Sequence, residues 1–136
     1  MVVITVLKSE HIINYNKGTC KINTPIVLYR NDKNVEVKLF IRNNPFTCNS
    51  PTSYAQLILY NKDSYIATFT DVVPFIDNTA SFVLVADMLN DINEVGLYTI
   101  QLRIYSEDKV SVATLPPVEQ GLEVRNPIAI EGDKTK

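Results

Sequence analysis

His11, Cys20, Cys48 and the acidic trio Asp87, Asp91 and Glu94 are the side chains of this sequence best suited to chemistry. His11 is the only histidine. A general base needs a nucleophile and an orienting group within reach, and its neighbours Ile12 and Ile13 supply neither, so a structural or surface role is expected. Cys20 and Cys48 are the only cysteines, with no Cys-x-x-Cys spacing and too few ligands for structural zinc. The opening run Met-Val-Val-Ile-Thr-Val-Leu has no basic residue ahead of it and is too short for a signal peptide. A reducing compartment and free, inert thiols are therefore expected, while a Cys20–Cys48 disulfide stays geometrically open. Asp87, Asp91 and Glu94 lie close in sequence, but calcium wants about six to eight oxygens from a spaced loop with a sharp glycine turn. Capping and solvation suit them better, with Asp87 capping a single helical turn through Met88, Leu89, Asn90 and Asp91. No catalytic, cofactor-binding or metal residue is assigned, and the chain is expected to be neither an enzyme nor a cofactor carrier.

Seven tyrosines raise a different possibility, since aromatic faces stack on sugar rings. There is no tryptophan, and Tyr54, Tyr60, Tyr65, Tyr98 and Tyr105 fall in segments that read as strands, where tyrosine is simply a good β-former. A carbohydrate-binding β-sandwich module is the alternative to a protein-binding role. The net charge of −2 with scattered lysines and arginines offers no broad cationic field for phosphates, so nucleic acid is not an expected partner. No apolar run approaches the ~18 residues of a membrane span, and no membrane partner is expected either.

The elements that must carry these residues are strands. At 136 residues, 46% hydrophobic and 21% charged, the chain suits one folded domain with its own core. Val35, Val37, Leu39 and Ile41 alternate with Glu36, Lys38, Phe40 and Arg42, the period-2 pattern of a half-buried strand. Ile100, Leu102 and Ile104 repeat it within the stretch Glu94 to Tyr105. Further strands are predicted over Val2 to Leu7, Ile22 to Tyr29, Tyr54 to Tyr60, Tyr65 to Thr70, Thr79 to Val85, Val110 to Leu115 and Leu122 to Arg125. The polar stretches 30–34, 61–64 and 106–109 suit hairpins. Pro45, Pro51, Pro74, Pro116 and Pro117 stand where strands should break, because proline cannot donate to the ladder. The expected fold is all-β, an immunoglobulin-like antiparallel β-sandwich of about eight strands with one short helical turn. It occupies residues 1–125, with 126–136 a polar exit segment leading to a further C-terminal region. Gly96 is expected where a core strand begins with little room or with positive φ.

The order of capped turn Asp87-Met88-Leu89, strand Glu94-Val95-Gly96-Leu97-Tyr98-Thr99-Ile100-Gln101-Leu102-Arg103-Ile104-Tyr105, hairpin Glu107-Asp108-Lys109 and proline break before a last strand resembles the amino-terminal domain of phage baseplate upper proteins. The resemblance covers roughly Ile22 to Arg125, and the Asn31-Asp32-Lys33-Asn34 turn leading into the Val35 to Arg42 strand fits the family's early hairpin. The sequence departs from the pattern at 43–51, which lacks a glycine-rich turn, and after Pro116-Pro117, where Val118-Glu119-Gln120-Gly121 stand in place of aromatics. The resemblance implies a structural adaptor of a tailed phage or prophage of a Gram-positive host, made in the host cytoplasm and located in the virion tail baseplate. It would anchor to the tail hub and support receptor-binding proteins, with other tail or baseplate proteins as partners. The full-length protein would be a homotrimer and the isolated domain a monomer or weak dimer.

Overall fold

The computed structural model describes residues 6–30, 32, 34–46, 53–61, 66–84, 95–108, 110 and 112–126. Among them the chain forms eleven strands: β1 Val6–Asn16, β2 Thr19–Ile22, β3 Ile26–Tyr29, β4 Val35–Arg42, β5 Ser53–Asn61, β6 Ile66–Phe69, β7 Val73–Phe75, β8 Thr79–Leu84, β9 Gly96–Tyr105, β10 Val112–Thr114 and β11 Val118–Arg125. A four-stranded sheet runs β2-β1-β4-β8, and a seven-stranded sheet runs β3-β11-β9-β5-β6, with β10 on β9 and β7 on β5. The all-β sandwich expected from the alternation is what forms. Its pairing is mixed rather than antiparallel throughout, because β1 runs parallel to β4 and β3 parallel to β11. The helical turn expected after Asp87 lies outside the described residues, as do Tyr65, Cys48 and the segment 127–136.

The apolar alternation sets the core. Val35, Val37, Leu39 and Ile41 of β4 and Ala80, Phe82 and Leu84 of β8 are buried, and from the other sheet Ala55, Leu57 and Leu59 of β5 meet Tyr98, Ile100, Leu102 and Ile104 of β9. Burying each large apolar side chain contributes on the order of 1.5–3 kcal/mol, so the two inner faces hold the layers together.

Turn chemistry makes the corners. Lys17 (φ 51°) and Gly18 (φ 83°) join β1 to β2, and Asp77 (φ 53°) and Asn78 (φ 60°) lie between β7 and β8. Two successive residues with positive φ define the type I′ turn whose twist suits a tight hairpin. The second turn is closed by Ile76 N–H to Thr79 O at 3.0 Å and Thr79 N–H to Ile76 O at 2.9 Å. Beyond that bridge the strands part, β7 to the larger sheet and β8 to the smaller.

The segment Ile22 to Tyr29, expected as one strand, is two strands in different sheets. Pro25 has no N–H to give a ladder, and the chain crosses between layers at Asn23, Thr24 and Pro25. The stretch 30–34, expected as a hairpin, likewise joins β3 in one sheet to β4 in the other. The stretches 61–64 and 106–109 do join antiparallel neighbours, β5 to β6 and β9 to β10. Pro74 does not break its strand: β7 is a three-residue strand at the rim of the sheet, where a missing donor costs least.

Gly96 opens β9 at φ 154°, a conformation L side chains rarely adopt, while among the described residues no atom beyond its own chain neighbours lies within 4 Å of where a Cβ would stand. Its requirement is conformational and not one of space. Gly96→Ala is expected to lower stability by ~1 kcal/mol, read as a fall in the melting temperature; an unchanged midpoint would show that β9 can begin from ordinary β geometry.

Candidate functional site

Of the residues flagged for chemistry, the structure describes His11 and Cys20, and these lie apart, Cys20 standing opposite Tyr15, four positions along β1 from His11. His11 is 5% exposed and clamps the crossover between the sheets: its Nδ1 donates to Thr24 O at 2.8 Å, and its Nε2 lies 2.6 Å from Ser9 Oγ. A carbonyl only accepts, so Nδ1 carries the proton and neutral Nε2 takes the Ser9 hydroxyl hydrogen. Burial pushes the His11 pKa below its ordinary value, against an opposing effect of the Thr24 bond. A lowered folded-state pKa means the unfolded chain takes up the proton first. This contribution to stability is therefore complete above the unfolded value of about 6.5 and falls as pH drops below it. Thermal melts should show a midpoint that declines below about pH 6.5 in the parent and declines less steeply in His11→Gln; parallel pH profiles would contradict this.

Cys20 is a free, buried thiol, and burial raises its pKa, which keeps it protonated and unreactive. It lies at a groove of about 510 Å³ between β2 and the start of β11, with Lys21, Pro117, Val118, Glu119 and Gln120 along it. Asp87, Asp91 and Glu94 lie outside the described residues.

The two outer faces of the sandwich differ sharply in chemistry. On the four-stranded sheet, residues alternating with the buried positions of β1, β2 and β4 include Glu10, Lys21, Glu36, Lys38 and Arg42. On the seven-stranded sheet, the strand registers set out rows across the outer face. Pro74, Tyr54, Tyr105 and Val112 form one row, and Gln56, Arg103 and Thr114 the next. Phe69, Ile58 and Gln101 follow, then Ala67, Tyr60 and Thr99. Arg103 is the only charged residue in these rows.

Hydrogen bonds fix this face. Tyr105 donates its hydroxyl to Gln56 Oε1 at 2.9 Å, Gln56 Nε2 donates to Thr70 O at 3.0 Å, and Gln101 Nε2 donates to Leu115 O at 2.9 Å. The two amides tie the chain at Thr70 and at Leu115, on either side of the central strands, to β5 and β9. Thr70 Oγ1 accepts the Leu57 N–H at 2.9 Å, which satisfies the backbone where β6 has ended. The result is a rigid, nearly uncharged platform rich in tyrosine and amide. Phe69 at 49% and Val112 at 48% exposure stand out from it.

In the sequence the tyrosines are simply good β-formers. Tyr98 is indeed in the core at 2% exposure, but Tyr54, Tyr60 and Tyr105 belong to the outer face, with Tyr54 directly opposite Tyr105. The signal was the parity of positions along β5 and β9: even residues of β5 and odd residues of β9 share one side, and among them Arg103 is the only charge.

No known protein family and no curated protein matches this sequence. Among solved structures the fold is similar to the "N-terminal domain of phage TP901-1 ORF48", at 12% sequence identity and a TM-score of 0.55, over 87% of this chain and 99% of that one.

Proposed function

We propose that this chain is a non-enzymatic structural adaptor of a phage tail, docking another tail protein through the outer face of its seven-stranded sheet. The observation that carries the reading is the contrast between the two outer faces. Protein interfaces are enriched in tyrosine, phenylalanine and arginine and depleted of lysine and glutamate at their centres, and the rows around Tyr54, Tyr105, Phe69 and Arg103 have that composition. The shared fold with a phage protein's amino-terminal domain supports placing the docking event in a phage tail, and the resemblance to baseplate upper proteins narrows it to the baseplate. In this reading the protein is made in the cytoplasm of a Gram-positive host, anchors to the tail hub, supports receptor-binding proteins, and is trimeric at full length.

Co-expression with the tail proteins encoded beside its gene, followed by affinity purification, tests this. A tail or baseplate component should copurify in stoichiometric amount, and a glycan array should be blank. The cross-strand pair Tyr54 and Tyr105 favours a second reading, a carbohydrate-binding module, because neighbouring rings on a sheet face can stack a sugar. Specific glycan binding without a tail partner would select that reading.

A further inference from the structure

We propose that Arg103 is the anchor of this docking face and receives a carboxylate from the protein partner, an inference that rests on the docking role argued above. Arg103 sits mid-strand in β9, opposite Gln56 on β5 and Thr114 on β10. Its Nε is shielded from solvent and has no hydrogen-bond partner, although an unmade bond at a buried charged group is costly. Gln56, its register partner on β5, is turned to other groups, its Oε1 accepting from Tyr105 and its Nε2 donating to Thr70. What holds the guanidinium is the ring of Phe69, whose centroid lies 5.9 Å from Cζ, within the range of a cation–π contact. The other charges of this sheet's outer side near β3, Glu123 and Arg125, are paired with each other at 3.0 Å. Among the described residues Arg103 is thus a permanent cation with no carboxylate partner, set within the uncharged aromatic rows of β5, β6 and β9.

That arrangement selects the occupant. A guanidinium bonds a carboxylate through paired N–H groups, and aromatic neighbours that exclude water strengthen such a bond at an interface centre. Nucleic acid would need several cations along a track, and among the described residues of this face Arg125 is already paired with Glu123, which leaves Arg103. The complementary surface is a protein segment bearing one aspartate or glutamate among uncharged residues, lying flat against β5 and β9.

A library of displayed random peptides, selected on the intact chain and counter-selected on an Arg103→Glu chain, provides the probe. Selected peptides should carry an aspartate or glutamate flanked by uncharged residues. Changing it to the matching amide should weaken binding about tenfold or more on the parent and have little effect on Arg103→Gln, the mark of direct coupling. Arg103→Lys should retain part of the affinity, and all three variants should melt as the parent does. Binders on this face without an acidic requirement, amide exchange that acts equally on parent and Arg103→Gln, or no binder on this face would each overturn the proposal. If the copurifying tail component binds parent and Arg103→Gln equally, the Arg103 assignment fails while docking stands; if the parent captures no tail component, the docking role itself fails.

Discussion

Replacing Phe82 by alanine should lower stability by about 3–5 kcal/mol, enough to leave much of the chain unfolded at ordinary temperature. Phe82 is 0% exposed and stands on β8 opposite Val37 of β4, within the cluster to which both sheets contribute. β8 ends the path of the four-stranded sheet, so the ring is a main attachment of that strand to the core. Equilibrium urea unfolding of Phe82→Ala and Phe82→Leu measures it: alanine should shift the midpoint far down at similar slope, and leucine, which refills most of the volume, should recover much of the loss. A small effect of alanine would mean that β8 is held by its backbone ladder and not by its packing.

Gly121→Ala should also destabilise, by about 1–3 kcal/mol, for the opposite reason. A Cβ at Gly121 would lie 2.7 Å from Ile100 Cγ1, 2.9 Å from Ile100 Cδ1 and 3.1 Å from Val118 Cγ1, and Ile100 is 0% exposed, so it has nowhere to move. The crowding comes from a bulge. Val118 pairs with Ile100 and Leu122 with Tyr98, so Glu119, Gln120 and Gly121 stand against the single residue Thr99, with Gln120 at φ 58°. The Ile100→Ala change removes both contacting carbons and should cost about 2–5 kcal/mol alone. Combined with Gly121→Ala it should cost clearly less than the two added together, with a coupling of about 0.5–3 kcal/mol. Strict additivity would contradict the clash.

These two positions show how legible the fold was. Phe82 could be read directly, because Ala80, Phe82 and Leu84 alternate with polar or smaller neighbours and a period of two fixes which side is buried. Gly121 could not: its neighbours spell a plausible turn, and only the register of β11 against β9 reveals the contact with Ile100. The same division runs through the chain. The first strand, expected over Val2 to Leu7, is β1 Val6–Asn16, and the turn at Lys17 and Gly18 that follows it was not among the expected hairpins; residues 2–5 lie outside the described residues. The role of His11 depends on Thr24, thirteen positions away, across a crossover marked in sequence by Pro25 alone. The parallel pairings of β1 with β4 and β3 with β11 are tertiary choices that local alternation does not encode.

The docking face was half legible. Alternation in β9 was plain, and it set Gln101, Arg103 and Tyr105 on the side away from Ile100, Leu102 and Ile104; the apolar run Leu57-Ile58-Leu59 hid the same division in β5. Which strands lie beside these residues, and hence that Arg103 is flanked by Gln56 and Phe69 with no carboxylate among the described contacts, required the sheet order.

The central claim is that the tyrosine- and amide-rich outer face of the seven-stranded sheet is the one that docks. Val112 and Phe40 are exposed apolar residues on opposite faces, at 48% and 38%, so a glutamate at either should leave the fold intact. Titrating the copurified tail component against Val112→Glu and Phe40→Glu by calorimetry separates the faces. Val112→Glu should weaken binding by about 2 kcal/mol or more, roughly thirtyfold, while Phe40→Glu binds as the parent does; equal binding by both variants, or loss confined to Phe40→Glu, would contradict the account.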